Sequence, residues 1–277
     1  MTLTEIKQTL ESRRIQLTRS LGQNFLHDGN QLRRLIDTAA LTPEDRVLEI
    51  GPGLGALTEL LLPQVKEVLA IEMDQRLVTV LQERFASAKN LLLVHADALE
   101  YLRCTRKDWR GWKLVSNLPF SVASPLLIEL AQMPSGPEHL TGTLQLEVAQ
   151  RLMAQPSRSD YGILTLLVCL RYEPCEWFKI PAGCFFPAPN IDAAGIVLKR
   201  RATALLSPDL EVRFTKIVKR AFSQRRKMML KLLKQDWPVE LLQASFDQAQ
   251  LDPKIRAEAA SLAQFVKLTE LLCRGAA

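Results

Sequence analysis

The chain has 277 residues, 47% hydrophobic and 24% charged, with a formal charge of +6 and a pI near 9.1. This is the make-up of a soluble globular protein, long enough for one large domain and a smaller one. No apolar run approaches the roughly 20 residues needed to cross a bilayer, and the N-terminus lacks a signal-peptide core, so a cytoplasmic location without membrane contact is expected. Glu5 and Glu11 also argue against a mitochondrial presequence. The five cysteines (Cys104, Cys169, Cys175, Cys184, Cys273) are scattered and show no C-x-x-C spacing, and His27, His95 and His139 have neither ligand nor triad spacing. Neither a disulfide framework nor a metal site is indicated, and the histidines are assigned no chemistry.

Charge is unevenly placed. Residues 199–234 hold twelve Lys or Arg against Asp209 and Glu211, a balance of +10 that leaves about −4 for the rest of the chain. A second basic group, Arg13, Arg14, Arg19, Arg33 and Arg34, lies near the N-terminus, where residues 1–25 or so are read as a basic arm. Such clusters suit a phosphate backbone, because neutralising phosphates releases condensed counterions.

In chain order, residues 46–50 form a short apolar strand, 57–62 open a helix, 67–71 form a second strand, 75–85 a helix and 91–94 a third strand. This βαβαβ pattern predicts a parallel sheet covered on both faces. Residues 113–116 make a fourth strand, 125–131 a helix, 143–148 a further strand, 163–171 a long apolar strand and 195–198 another. The character changes near Ser207-Pro208. Helices are expected over 211–221, 226–234 (a basic helix), 241–249 and 261–272. The expected fold is therefore α/β, a Rossmann-like mixed sheet over 1–207 followed by a small all-helical domain over 208–277.

Two motifs carry chemistry. Glu49-Ile50-Gly51-Pro52-Gly53-Leu54-Gly55 follows the first strand and differs from the G-x-G-x-x-G of dinucleotide folds. Its spacing is similar to the S-adenosylmethionine loop of class I methyltransferases, where the turn brings backbone close to the amino-acid part of the cofactor. Glu72 ends the second strand, where an acid accepts both ribose hydroxyls, and Asp97 follows the third, placed for an adenine amine. Each acid alone also fits a helix N-cap; their order at successive strand ends favours a cofactor site. Asn117-Leu118-Pro119-Phe120 follows the fourth strand. The Asn117 amide oxygen and Pro119 carbonyl each accept one N–H of an adenine amine, while the Phe120 ring stacks on the base.

Further segments make the likeness specific. Ser20-Leu21-Gly22-Gln23-Asn24-Phe25-Leu26, the glycine loop, Asp97-Ala98-Leu99, Asn117 to Phe120, Gln145-Leu146-Glu147-Val148-Ala149 with Arg151, Phe222-Ser223-Gln224-Arg225-Arg226-Lys227, and Arg256-Ala257-Glu258 with Gln264-Phe265 resemble the ribosomal RNA adenine dimethyltransferase family from about residue 18 to about 270. The resemblance implies transfer of two methyl groups to N6 of each of two adjacent adenosines in a hairpin near the 3′ end of small-subunit rRNA during ribosome biogenesis. It implies S-adenosylmethionine as cofactor, with contacts from Asn24, Leu26, Gly51, Gly53, Glu72, Asp97 and Asn117, and Asn117, Pro119 and Phe120 as the catalytic group. Arg225, Arg226, Lys227 and Lys231 are expected to grip phosphates, and the protein to act as a monomer without metal. Ser121-Val122 stands where the family pattern has Asn-Ile, Leu146 where it has Lys, and the run 187–194 lacks the Lys and Ser expected around Asp192. Two rivals remain at this level: a large-subunit rRNA adenine methyltransferase, as in macrolide resistance, and a non-catalytic RNA or DNA clamp serving assembly or transcription. DNA adenine methylation usually shows two prolines after the Asp or Asn, and only one is present.

Overall fold

The computed structural model describes residues 1–18, 22–105 and 107–274. Arg19 of the basic arm, and Ser20 and Leu21 of the segment that opens the family-like region, lie outside the described residues. The chain divides into two units, one comprising Met1–Ala149 and Pro174–Arg200, the other Gln150–Glu173 and Arg201–Ala277. This differs from a single cut near 207, because the stretch 150–173 belongs with the second unit.

The first unit is built on a seven-stranded sheet. Strands β2 (Arg46–Ile50), β3 (Glu67–Glu72), β4 (Leu91–His95), β5 (Trp112–Asn117), β6 (His139–Gln145), β7 (Tyr172–Ile180) and β9 (Ala193–Arg200) lie in the order β4-β3-β2-β5-β6-β9-β7. β4 to β6 run parallel and β9 is antiparallel to β6. The central strands are short apolar runs because both faces are covered: Val68, Leu69, Ala70 and Ile71 are all buried. Helices α2 (Gly29–Thr38) and α3 (Thr58–Leu61) pack Leu32, Leu35, Ile36 and Leu61 against Val47, Val68 and Val115. The chain order reverses between β2 and β5, so a crevice opens beyond the C-terminal ends of these strands, the place where open α/β sheets bind ligands. A short pair, β1 (Phe25–Leu26) with β8 (Phe185–Phe186), supplements the sheet.

The basic arm contains a helix. Residues Leu3–Ser12 form α1, opened by a reciprocal cap between Thr2 and Glu5, and Ile6 and Leu10 pack with Phe25, Leu54, Leu77 and Val80.

Three expectations change. The apolar run 163–171 is a helix, α8 (Ile163–Cys169), and not a strand; Gly162 precedes it and Thr165 to Val168 are buried in succession, so its apolar surface extends round the helix. The strand expected over 143–148 is β6, which ends at Gln145, and Leu146–Met153 is helix α7. The basic helix expected over 226–234 shrinks to α10 (Met229–Leu233), where Met229, Leu230, Leu232 and Leu233 are buried, with Arg225 to Lys227 in the turn before it. The second unit is otherwise formed by α9 (Pro208–Ala221), α11 (Val239–Gln248) and α12 (Leu262–Arg274) around Phe214, Phe246 and Phe265.

Candidate active site

A cavity of about 240 Å³ lies at the C-terminal ends of β2, β3, β4 and β5. The glycine turn forms its floor. Gly51 and Gly53 adopt φ of +70° and +61°, and a Cβ on them would come within 2.9 Å of Pro119 Cγ and 2.8 Å of Phe25 Cε1. Only glycine lets backbone approach this closely in that conformation. Beneath the turn, Glu49 is 1% exposed and its Oε2 accepts the Thr58 hydroxyl at 2.7 Å. Burial pushes the Glu49 carboxyl up to about 8, against the opposing Thr58 hydrogen bond and with a further push from Glu72.

Glu72 ends β3 and its carboxylate accepts three backbone N–H groups: Gly53 at 3.0 Å on one oxygen, Met73 and Asp74 at 2.9 Å each on the other. Burial raises its pKa and these hydrogen bonds counter the rise. Asp97 lines the cavity and also caps α5 (Ala98–Cys104), accepting the Glu100 N–H at 3.0 Å. The cap engages one oxygen of that carboxylate and leaves acceptor sites to spare.

Asn117 closes β5 opposite Thr143 of β6. Its Nδ2 donates to the Asn24 carbonyl at 2.8 Å and its Oδ1 accepts the Thr143 hydroxyl. The Pro119 carbonyl accepts the Val122 N–H at 3.0 Å.

Asn24, Gly51, Gly53, Glu72, Asp97, Asn117 and Pro119 thus line one cavity. Leu26 and Phe120 do not. Leu26 is 2% exposed within the core, and half-buried Phe120 packs edge-on to Phe185, with ring centroids 5.7 Å apart. Sequence reasoning gave no role to Gln23 or Met73, which also line the cavity. Met73 is 52% exposed and sits one residue after Glu72, so the strand-end signal that found Glu72 extends to it. In the second unit, Arg226, Lys227 and Lys231 are exposed, whereas Arg225 is engaged by the Glu258 carboxylate at 3.2 Å and the Ser159 carbonyl. Among the described residues no cluster could hold a metal ion, and no helix is long and apolar enough to cross a membrane.

The model of the ribosomal RNA adenine dimethylase family matches residues 14–273. The chain belongs to the ribosomal RNA adenine dimethylase family. Relatives of this dimethylase include the ribosomal RNA small subunit methyltransferase A of Clostridium perfringens, 35% identical over 96% of this chain and 94% of that protein, and that of Lactiplantibacillus plantarum, 37% identical over 93% and 90%. Among solved structures, the 23S rRNA methyltransferase ErmE is 28% identical, with a TM-score of 0.69 over 90% of the dimethylase and all of that chain. A dimethyladenosine transferase from Plasmodium falciparum, 23% identical, shares the fold with a TM-score of 0.71 over 88% of the dimethylase and 95% of that chain.

Proposed function

We propose that this dimethylase uses S-adenosylmethionine to place two methyl groups on N6 of each of two adjacent adenosines in the 3′-terminal hairpin of small-subunit rRNA. The observation that carries the reading is the convergence of Asn117 and Pro119 with Glu72, Asp97 and the glycine turn on one cavity. The residues present fit the cofactor. Glu72 and Asp97 offer carboxylate acceptors at successive strand ends, and Gly51 and Gly53 provide a backbone cradle that any Cβ would fill.

S-adenosylmethionine supplies a methyl group already activated on a sulfonium. The protein's task is alignment and exclusion of water, and positioning alone lowers a barrier by several kcal/mol. An adenine amine is a poor nucleophile because its lone pair is delocalised into the ring. Asn117 Oδ1 and the Pro119 carbonyl each already accept one hydrogen bond and keep a second lone pair for an amine N–H. Holding both N–H groups draws the nitrogen toward a tetrahedral, more nucleophilic form, and its proton leaves to water. The target base must first leave its stack, which an RNA hairpin permits at low cost.

In this reading the unit with the sheet performs methylation and the helical unit grips rRNA through Arg226, Lys227 and Lys231. The protein works in the cytoplasm as a monomer. Methylation of large-subunit rRNA is the second reading, favoured by the likeness to ErmE. The names and the 35–37% identities of the small-subunit relatives favour the first. Incubating the protein and cofactor separately with small and large ribosomal particles that lack the modification, then analysing nucleosides by mass spectrometry, tests both. N6,N6-dimethyladenosine in the 3′ hairpin of the small-subunit RNA is expected; its appearance only in large-subunit RNA would transfer the assignment.

A further inference from the structure

Gln23 belongs to no expected group of site residues, yet it stands between the two halves of the site. On one side its Nε2 donates to Asp74 Oδ2 at 2.9 Å, and its Oε1 accepts the Thr18 N–H at 3.0 Å. Asp74 is 6% exposed and is itself fixed: its backbone N–H goes to Glu72, and its carboxylate accepts Arg76 Nε at 2.9 Å and Arg76 Nη2 at 2.6 Å. On the other side, the carbonyl of the next residue, Asn24, accepts Asn117 Nδ2. Gly22 lies so close to the loop after β5 that a Cβ there would be 2.8 Å from Ser121 Oγ. Three consecutive residues therefore bridge the turn after β3 and the loop after β5.

We propose that Gln23 is a positioning residue for Asn117: its hydrogen bond to Asp74 fixes the Asn24 carbonyl, and that carbonyl sets which way the Asn117 amide faces. A carbonyl only accepts, so it selects the amide orientation with Nδ2 toward Asn24, leaving Oδ1 for Thr143 and the cavity. Reversing the amide would bring its oxygen against the Asn24 carbonyl and present N–H groups to an amine that needs an acceptor. The consequence for turnover rests on the reading of Asn117 as acceptor of the substrate amine. The coupling of Gln23 to the amide does not.

The test exchanges donor and acceptor. Gln23→Glu sets two carboxylates face to face, and Asp74→Asn leaves a single amide oxygen for Gln23 Nε2 and the Arg76 guanidinium, which the two carboxylate oxygens now accept between them. The double variant turns the new amide nitrogen at position 74 to the new carboxylate at position 23 and its oxygen to Arg76 Nε, restoring one donor against one acceptor with the roles swapped, while the Thr18 N–H keeps its partner. At saturating cofactor and RNA, each single variant is expected to lose about tenfold or more in kcat, and the double variant to recover to within about threefold of the parent. In the cofactor-free protein, hydrogen exchange of the Asn117 side-chain amide, followed by NMR, should quicken in each single variant and slow again in the double. Single variants that match the parent in kcat and exchange, or a double variant no better than the singles, overturn the proposal. If exchange follows the pattern but kcat does not, the role given to Asn117 in turnover fails while the bridge stands.

Discussion

Gly53 donates its backbone N–H to the buried carboxylate of Glu72 across 3.0 Å, tying the glycine turn after β2 to the end of β3. One acid thus shapes the cradle as well as facing the cavity. Glu72→Gln places an amide nitrogen against backbone donors that occupy both carboxylate oxygens. Leaving a buried N–H without an acceptor costs about 1–3 kcal/mol. A lower unfolding temperature and a cofactor Kd raised by about tenfold or more are expected from thermal denaturation and calorimetric titration; unchanged affinity would show that the turn holds its shape without Glu72.

Glu49 gives a pH signature. Burial raises its folded-state pKa from an ordinary carboxyl value to about 8, so the neutral form is the one the fold accommodates. Its contribution is complete below the unfolded-state pKa and declines as pH rises toward the folded value, because the unfolded chain sheds that proton first. Stability should therefore fall between roughly pH 4.5 and pH 8 by up to about 1.4 kcal/mol per pH unit from this group. Glu49→Gln should flatten that slope in denaturant titrations run at pH 5, 6.5 and 8. A slope that persists unchanged would assign it elsewhere.

Gly51→Ala attacks the cradle sterically. The new methyl would lie 2.9 Å from Pro119 Cγ in a backbone conformation that L side chains rarely adopt, a strain of about 1–3 kcal/mol. Because the neighbour is Pro119, the damage should reach catalysis as well as cofactor binding, with kcat lowered even at saturating cofactor. A variant impaired in cofactor Kd alone would mean that Pro119 tolerates the shift.

The basic residues of the second unit should separate into two kinds. Arg226→Ala with Lys227→Ala removes exposed charges and is expected to weaken RNA binding and reduce the magnitude of the salt slope by about 2, leaving unfolding unchanged. Arg225→Ala removes the partner of Glu258 and of the Ser159 carbonyl and should lower the unfolding temperature too. Equal effects of the two substitutions on both readouts would remove this distinction.

The strands that carry the site were legible because each is a short apolar run ended by a turn or an acid: residues 46–50, 67–71, 91–94 and 113–116 all lie within β2 to β5. That Glu72, Asp97 and Asn117 line one cavity was legible for the same reason, since ligands of such sheets gather at strand ends. The segment 163–171 failed because an apolar run of nine residues has no period that distinguishes a buried strand from a buried helix. β7 went unnoticed because it is an edge strand, largely exposed, that carries Pro174 and no clear alternation. Leu26 and Phe120 were placed in the site by their motifs, but side-chain direction depends on the β1–β8 pairing and the Phe185 contact, which join residues about 160 and 65 positions apart in the chain and leave no local sequence signal. Gln23 escaped for a related reason: its partner Asp74 lies 51 residues away.

The helical unit is assembled from two separate stretches of chain, with Tyr161 of the first donating its hydroxyl hydrogen to the Ala260 carbonyl of the second at 2.9 Å. A gene fragment beginning at Pro208 would therefore encode a truncated core, lacking α8 and the Tyr161 anchor, and should be poorly soluble when expressed by itself. During biosynthesis the same arrangement imposes an order: α8 emerges early and must wait, its apolar surface uncovered, while the last strands of the sheet and then the remaining helices are made.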